Sequence, residues 1–73
     1  MAEYAKLDRT YYVVIDTDRY PPMYVGRMTP SLSTAKGTRT GYLRRTGGDP
    51  ELVFIQEMEL VDRRILFHEA VND

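Results

Sequence analysis

The absence of cysteine is the feature that most constrains this chain of 73 residues. A domain of this size buries only a small core, and many such domains add disulfides or a structural metal. Without cysteine the chain has no disulfide framework, no thiolate zinc site and no cysteine nucleophile. Its single histidine, His68, excludes a histidine cluster, so we expect no metal and no cofactor. The fold must therefore rest on packing alone, or gain further burial in a partner.

The length is that of one domain, so we expect residues 1–73 to form it, with residues 1–9 as a mobile N-terminal segment. A hydrophobic share of 42 % and a charged share of 29 % are typical of a globular chain. No apolar run reaches the roughly 18–20 residues of a membrane span, and the first residues lack the apolar segment of a secretory signal. We therefore expect a cytoplasmic protein that does not enter a membrane.

Two runs of β-branched and aromatic residues predict a β-hairpin. Residues 11–15 read Tyr-Tyr-Val-Val-Ile, and residues 23–28 resume the same character after a polar loop. Pro21 and Pro22 close that loop, and proline cannot donate to a central ladder. The start of the second strand is therefore expected at an edge of the sheet.

Residues 34–45 are predicted to form the main helix. Ser31 or Ser33 can cap its first turn, and Gly47 supplies a stop at its end. Two glycines, Gly37 and Gly41, lie four residues apart and so share one face of the helix. We favour close approach of that face to a sheet, and the alternative is a smooth groove for a partner.

The last third of the chain predicts one strand and leaves the next segment open. Residues 52–61 alternate, with Phe54, Gln56, Met58 and Leu60 on one face and Glu57 and Glu59 on the other. Residues 64–68 fit either a strand after a turn at residues 62–63 or part of a short helix, and we favour the strand because it buries more of a small core. The predicted fold class is α+β, a single domain with the order ββαββ.

Charge is distributed unevenly along the chain. Residues 1–46 carry a net charge of +4 and residues 47–73 a net charge of −5. The split indicates two electrostatically different faces, or a basic helix that lies near an acidic strand. Residues 36–45 contain four of the basic side chains and no acidic one. One use for such a basic helix is to neutralise phosphates.

No residue pattern indicates catalysis. His68 is the only imidazole, and no serine stands in a Gly-x-Ser-x-Gly setting. Glu57 and Glu59 share a strand face about 7 Å apart by strand rise, which is more typical of solvated glutamates than of an acid–base pair. The glycines at 37 and 41 do not form a phosphate-binding loop, because the lysine precedes them. We expect a protein that is not an enzyme.

Tyrosine is the best sequence evidence for a binding surface. Six tyrosines and four methionines are many for 73 residues, and both residue types pack well at interfaces. In a strand with one buried face, at most half of the hairpin aromatics can be core residues. Together with the arginines of the helix they form the candidate partner-binding set. These residues are Tyr11, Tyr12, Tyr20, Met23, Tyr24, Arg39, Tyr42, Arg44 and Arg45.

Three stretches of the chain resemble small proteins of tailed phages. They are Ser-Leu-Ser-Thr-Ala-Lys at 31–36, Leu-Arg-Arg at 43–45 and Ile-Gln-Glu-Met-Glu-Leu at 55–60, after a hairpin rich in tyrosine and valine. The similarity, over residues 11–61, is to small transcription regulators of the Xanthomonas-phage type that bind host bacterial RNA polymerase.

The resemblance implies a protein that docks on the large subunits of RNA polymerase in the host cytoplasm. It implies displacement of the sigma factor, inhibition of transcription initiation and antitermination, and it assigns no individual residue. The alternative from the residues themselves is a small nucleic-acid-binding module that uses the basic helix 34–45.

Overall fold

The chain folds as a four-stranded antiparallel sheet with one helix on one of its faces. The structure is a computed structural model that describes residues 9–71. The elements in chain order are β1 (Arg9–Asp16), β2 (Met23–Thr29), α1 (Leu32–Thr46), β3 (Val53–Val61) and β4 (Arg64–Val71). The strand order is β2-β1-β3-β4, which confirms the predicted α+β fold with the order ββαββ. The predicted N-terminal segment 1–9 lies outside the described residues, except for Arg9, which begins β1.

The first hairpin has the predicted strands and places β2 at an edge of the sheet. Asp16 pairs with Met23 where β1 ends and β2 begins, next to the two prolines of the loop. The register then shifts, and Gly26 in this stretch has a φ of 75°. A Cβ atom on Gly26 would lie 3.1 Å from the Thr38 methyl carbon of α1. Glycine is therefore favoured at this position by its backbone conformation, and the Thr38 side chain leaves little space for a Cβ atom.

Residues 64–68 belong to a strand of the second hairpin, which is the alternative that we favoured over a short helix. Asp62 and Arg63 form a two-residue turn with φ values of 53° and 66°. Positive φ at both central positions is the geometry that matches the twist of the two flanking strands. β4 is the second edge strand, and its register with β3 shifts between Gln56 and Met58. The Gln56 side chain donates to the His68 carbonyl beside this bulge, which satisfies a polar group on an otherwise apolar sheet face.

The helix extends slightly beyond the predicted residues 34–45, and its two caps are the expected ones. The Ser31 hydroxyl accepts from the Thr34 amide at 3.2 Å, and the Gly47 amide donates to the Leu43 carbonyl at 2.8 Å. The interpretation of Gly37 and Gly41 as a close-packing face is wrong. A Cβ atom on either glycine would meet nothing within 4 Å, so this face of the helix points away from the sheet.

The core lies between the helix and one face of the sheet. The helix contacts β1, β2 and β3. The buried residues of this cluster are Val14, Val25, Ala35, Tyr42, Val53 and Ile55. The other face of the sheet has no element of the described chain packed against it, and this asymmetry determines where a partner can bind.

Candidate partner-binding site

A hydrogen-bonded network organises the end of the sheet where β1 ends and β2 begins. Asp16 is buried there, and its carboxylate accepts hydrogen bonds from the Tyr42 hydroxyl and from the Asp18 amide at 2.9 Å. The Arg19 guanidinium lies 3.6 Å from the same carboxylate. The Tyr42 hydroxyl is the largest cause that lowers the pKa of Asp16, and the Asp18 amide and Arg19 lower it further, against the opposing effect of desolvation. Asp16 is therefore an ionised anchor that ties the hairpin loop to the helix.

Exposed side chains project from this anchored end. Tyr20 is fully exposed in the loop, and Met23 is 36 % exposed at the first position of β2. The Arg45 guanidinium lies 5.7 Å from the centre of the Tyr42 ring, close enough for a cation–π contact. We name the residues Arg19, Tyr20, Met23 and Arg45 the hairpin-end surface. Met23 is held by its pairing with Asp16, and Arg19 lies beside the Asp16 carboxylate, so part of this surface is positioned before binding.

Charges of both signs lie on and beside the hairpin-end surface. Arg19 and Arg45 contribute the cations, and Asp18 is an exposed acid in the same loop. Arg44, also exposed, lies in the last turn of the helix next to Arg45. Tyrosine and arginine are the residue types most enriched where protein interfaces concentrate their binding energy. A surface of mixed charge with an exposed aromatic ring suits a protein partner better than a phosphate backbone.

Two residues predicted to contact a partner make structural contacts within the chain. Tyr42 is 5 % exposed in the core, because its ring faces the sheet and its hydroxyl reaches Asp16, so it cannot lie at a surface. Arg39 donates from Nε to the Val53 carbonyl and from Nη2 to the Pro50 carbonyl, both at 2.7 Å. The guanidinium therefore fastens the segment before β3 to the helix rather than extending into solvent.

The remaining hairpin aromatics divide between the two faces of the sheet. Tyr12 lies on the helix side and packs, half-buried, against the core. Tyr11 and Tyr24 lie on the opposite side, which we name the open face. The nine predicted residues are thus not brought together in one site. They are distributed among the hairpin-end surface, the open face, the helix end and the core.

The open face is apolar and was only partly identified from the sequence. It contains two hollows of about 160 and 350 Å³. They are lined by Tyr11, Val13, Tyr24, Gly26, Met28, Met58, Leu60, Ile65 and Phe67. None of these residues carries a charge. The alternation at residues 54–60 predicted one row of this face, but no pattern in the sequence shows which face the helix leaves uncovered.

Two of the residues considered for catalysis, His68 and Glu59, pair at the surface of the sheet. The His68 ring lies 3.3 Å from a Glu59 carboxylate oxygen, with both side chains about two-fifths exposed. An exposed pair of this kind contributes little and is accessible to water. Within residues 9–71, no cluster of acidic or histidine side chains could hold a metal ion, and no helix is long and apolar enough to cross a membrane.

Comparison with family models, curated proteins and solved structures gives no match to this chain. The assignment of a site therefore depends on the geometry of the hairpin-end surface and the open face.

Proposed function

We propose that the protein is a non-enzymatic regulator that binds the large subunits of bacterial RNA polymerase through the hairpin-end surface. Binding there would displace the sigma factor and inhibit transcription initiation, with antitermination as a further effect on the elongating enzyme. The place of action is the cytoplasm of the host cell. The resemblance of residues 11–61 to small phage regulators supplies the identity of the partner.

The observation that carries a binding role is a fully exposed tyrosine on an anchored scaffold. Tyr20 projects from a loop whose base is fixed by the bonds of Asp16 to Tyr42 and Asp18. An exposed aromatic ring gains its burial only when a partner covers it, and a tyrosine side chain has only two rotatable angles to order in that step. Arg45, which stacks on Tyr42, adds planar donors for carboxylates of the partner.

The mechanism that follows is occlusion. Covering part of the surface where sigma binds requires no chemical step, so inhibition would depend only on affinity and overlap. Inhibition of initiation should therefore be stoichiometric with polymerase and should be overcome by excess sigma. It should not require turnover of any substrate.

Purified RNA polymerase core enzyme tests this proposal. The full chain, immobilised by a terminal tag, is titrated with core enzyme, and the same mixtures are assayed for promoter-dependent initiation with added sigma. We expect Tyr20→Ala and Arg45→Ala each to weaken binding by about tenfold or more. Arg64→Ala is the matched control, since Arg64 is exposed where β4 begins, at the opposite end of the sheet. No binding at about 10 μM enzyme, or equal affinity of all variants, would overturn the proposal.

A nucleic-acid-binding module using helix 34–45 is the second candidate, and the exposed Arg44 and Arg45 are the observation that favours it. Arg39 counts against it, because two of its donors are already used by backbone carbonyls. Titration of labelled duplex DNA and single-stranded RNA at increasing salt separates the two. Affinity that falls steeply with salt and disappears in Arg44→Ala would support this candidate.

A further inference from the structure

The open face of the sheet has the composition of the interior of a protein. Tyr24 and Phe67 are each 65 % exposed, Ile65 is 55 % and Met28 is 52 % exposed. Apolar residues scattered singly on a surface are ordinary, but these four all line the larger hollow and so form one continuous patch. We propose that this face is the interface of a symmetric homodimer, in which the open faces of two copies of the chain pack against each other.

Charge is the first argument for a second copy as the occupant. The residues that line the hollows are uncharged, and Gln56 on this face is already bonded to the carbonyls of Glu57 and His68. A second copy brings hollows lined by the same uncharged residues, so no charge among them is buried without a partner. A nucleic acid would bring phosphates, for which the residues lining the hollows offer no cation.

Area is the second argument. At about 200 Å² for a large side chain, the four most exposed residues present roughly 450–500 Å² of apolar surface. Their half-buried neighbours Tyr11 and Leu60 raise this to about 550–600 Å² for each copy. Two copies would then bury about 1,100–1,200 Å², at the lower limit for a specific interface. A weak to moderate dimer is the expected result.

The geometry of sheets allows this packing. Two sheets pack face to face about 10 Å apart, with the side chains of each inner face filling gaps in the other. Here Phe67 and Tyr24 project beside a hollow of about 350 Å³, so the face carries both protrusions and spaces, as a self-complementary surface must. The dimer would be an eight-stranded sandwich with a helix on each outer side.

The dimer also supplies the burial that the isolated chain lacks. Only six residues form the buried cluster under the helix, and the chain has no disulfide to support it. Small domains commonly gain stability by oligomerisation. The hairpin-end surface lies outside the proposed interface, so the dimer would present two copies of it. This inference is independent of the proposed function.

Sedimentation equilibrium of the full chain from about 1 to 200 μM tests the proposal, because the monomer mass of 8.5 kDa should double with concentration. Phe67→Lys should weaken the dimer by about tenfold or more, since lysine would be buried against an apolar face. Leu66→Lys is the matched control. Leu66 is exposed and precedes Phe67 in β4, but it pairs with Glu59 and so lies on the helix side of the sheet, outside the proposed interface. Circular dichroism shows whether each variant is folded, and Tyr24→Lys provides a second variant of the interface.

Four results would overturn the proposal. The first is a monomer at every concentration, and the second is a dimer that Phe67→Lys and Tyr24→Lys leave unchanged. The third is a monomer whose tyrosine fluorescence is quenched by single-stranded DNA and whose quenching is lost in Phe67→Lys. This result would assign the open face to nucleic acid. The fourth is a monomeric chain that loses polymerase binding in Phe67→Lys. It would assign the open face to the enzyme, which keeps polymerase as the partner but adds a contact beyond the hairpin-end surface.

Discussion

Replacement of Gly37 by alanine should stabilise the protein, and the structure gives the size of the effect. Gly37 lies in the interior of α1 with helical backbone, and a Cβ atom there would meet nothing within 4 Å. Glycine inside a helix is about 0.8–1.0 kcal/mol less favourable than alanine, mainly because its unfolded chain is more flexible. The free energy of unfolding should rise by about that amount. For a domain of this size the melting temperature should increase by about 4–8 °C.

Gly26 provides the opposite case under the same substitution. Its φ of 75° is a conformation that costs about 1–2 kcal/mol for a residue with a Cβ atom. The added methyl would also lie 3.1 Å from the Thr38 methyl carbon, so the Thr38 side chain must move by a few tenths of an ångström. Gly26→Ala should therefore lower the free energy of unfolding by about 1–2 kcal/mol or more.

Urea denaturation followed by circular dichroism, at one protein concentration for all variants, measures both effects. The slope with denaturant should stay the same, so that the midpoint reports stability directly. Destabilisation by Gly37→Ala would refute the reasoning, because it would mean that something packs against that helix face. Equal effects of the two substitutions would refute the assigned backbone conformation of Gly26.

Two further variants test the hydrogen bonds of Asp16 and those of Arg39. Removal of the hydroxyl in Tyr42→Phe should raise the pKa of Asp16 towards its ordinary value, measured by NMR titration, because that hydroxyl is the largest cause lowering it. The lowered pKa of Asp16 stabilises the fold at pH values above the ordinary pKa of 3.8. This stabilisation is lost as the pH falls through the folded-state pKa. Tyr42→Phe should therefore unfold at a higher pH than the unsubstituted protein does on acidification. An unchanged Asp16 pKa would contradict the network. Arg39→Ala should lower the free energy of unfolding by about 1–3 kcal/mol in urea denaturation, and Arg39→Lys should not restore it. Affinity for polymerase should be retained. A loss of affinity in the folded variant would return Arg39 to the binding surface.

The sequence was sufficient for the elements whose signals are local. Ser31 and Gly47 cap the helix as expected, and the alternation at residues 54–60 placed Glu57 and Glu59 opposite the apolar row. The turn at residues 62–63 was identified from its position between two strand-like runs. Such features depend on a few neighbouring residues, so one sequence contains them.

The features that the sequence could not predict depend on which face of each strand or helix packs against another element. Two faces of a strand are equivalent until a helix covers one of them, so the alternation could not show that Phe67 lies on the uncovered side. The four-residue spacing of Gly37 and Gly41 identified a shared face but not its direction. Tyr42 looked like a surface aromatic among cations, and only its position over Asp16 shows that it belongs to the core.

Side-chain footprinting of Tyr20 tests most directly the claim that the protein acts by contact at its hairpin end. The chain is exposed to hydroxyl radicals alone and with excess RNA polymerase core enzyme, and the oxidation of each tyrosine and methionine is measured by mass spectrometry. We predict that oxidation of Tyr20 and Met23 falls strongly when polymerase is added, while that of buried Tyr42 stays low in both states. Unchanged oxidation of Tyr20 in the presence of bound polymerase would contradict the account.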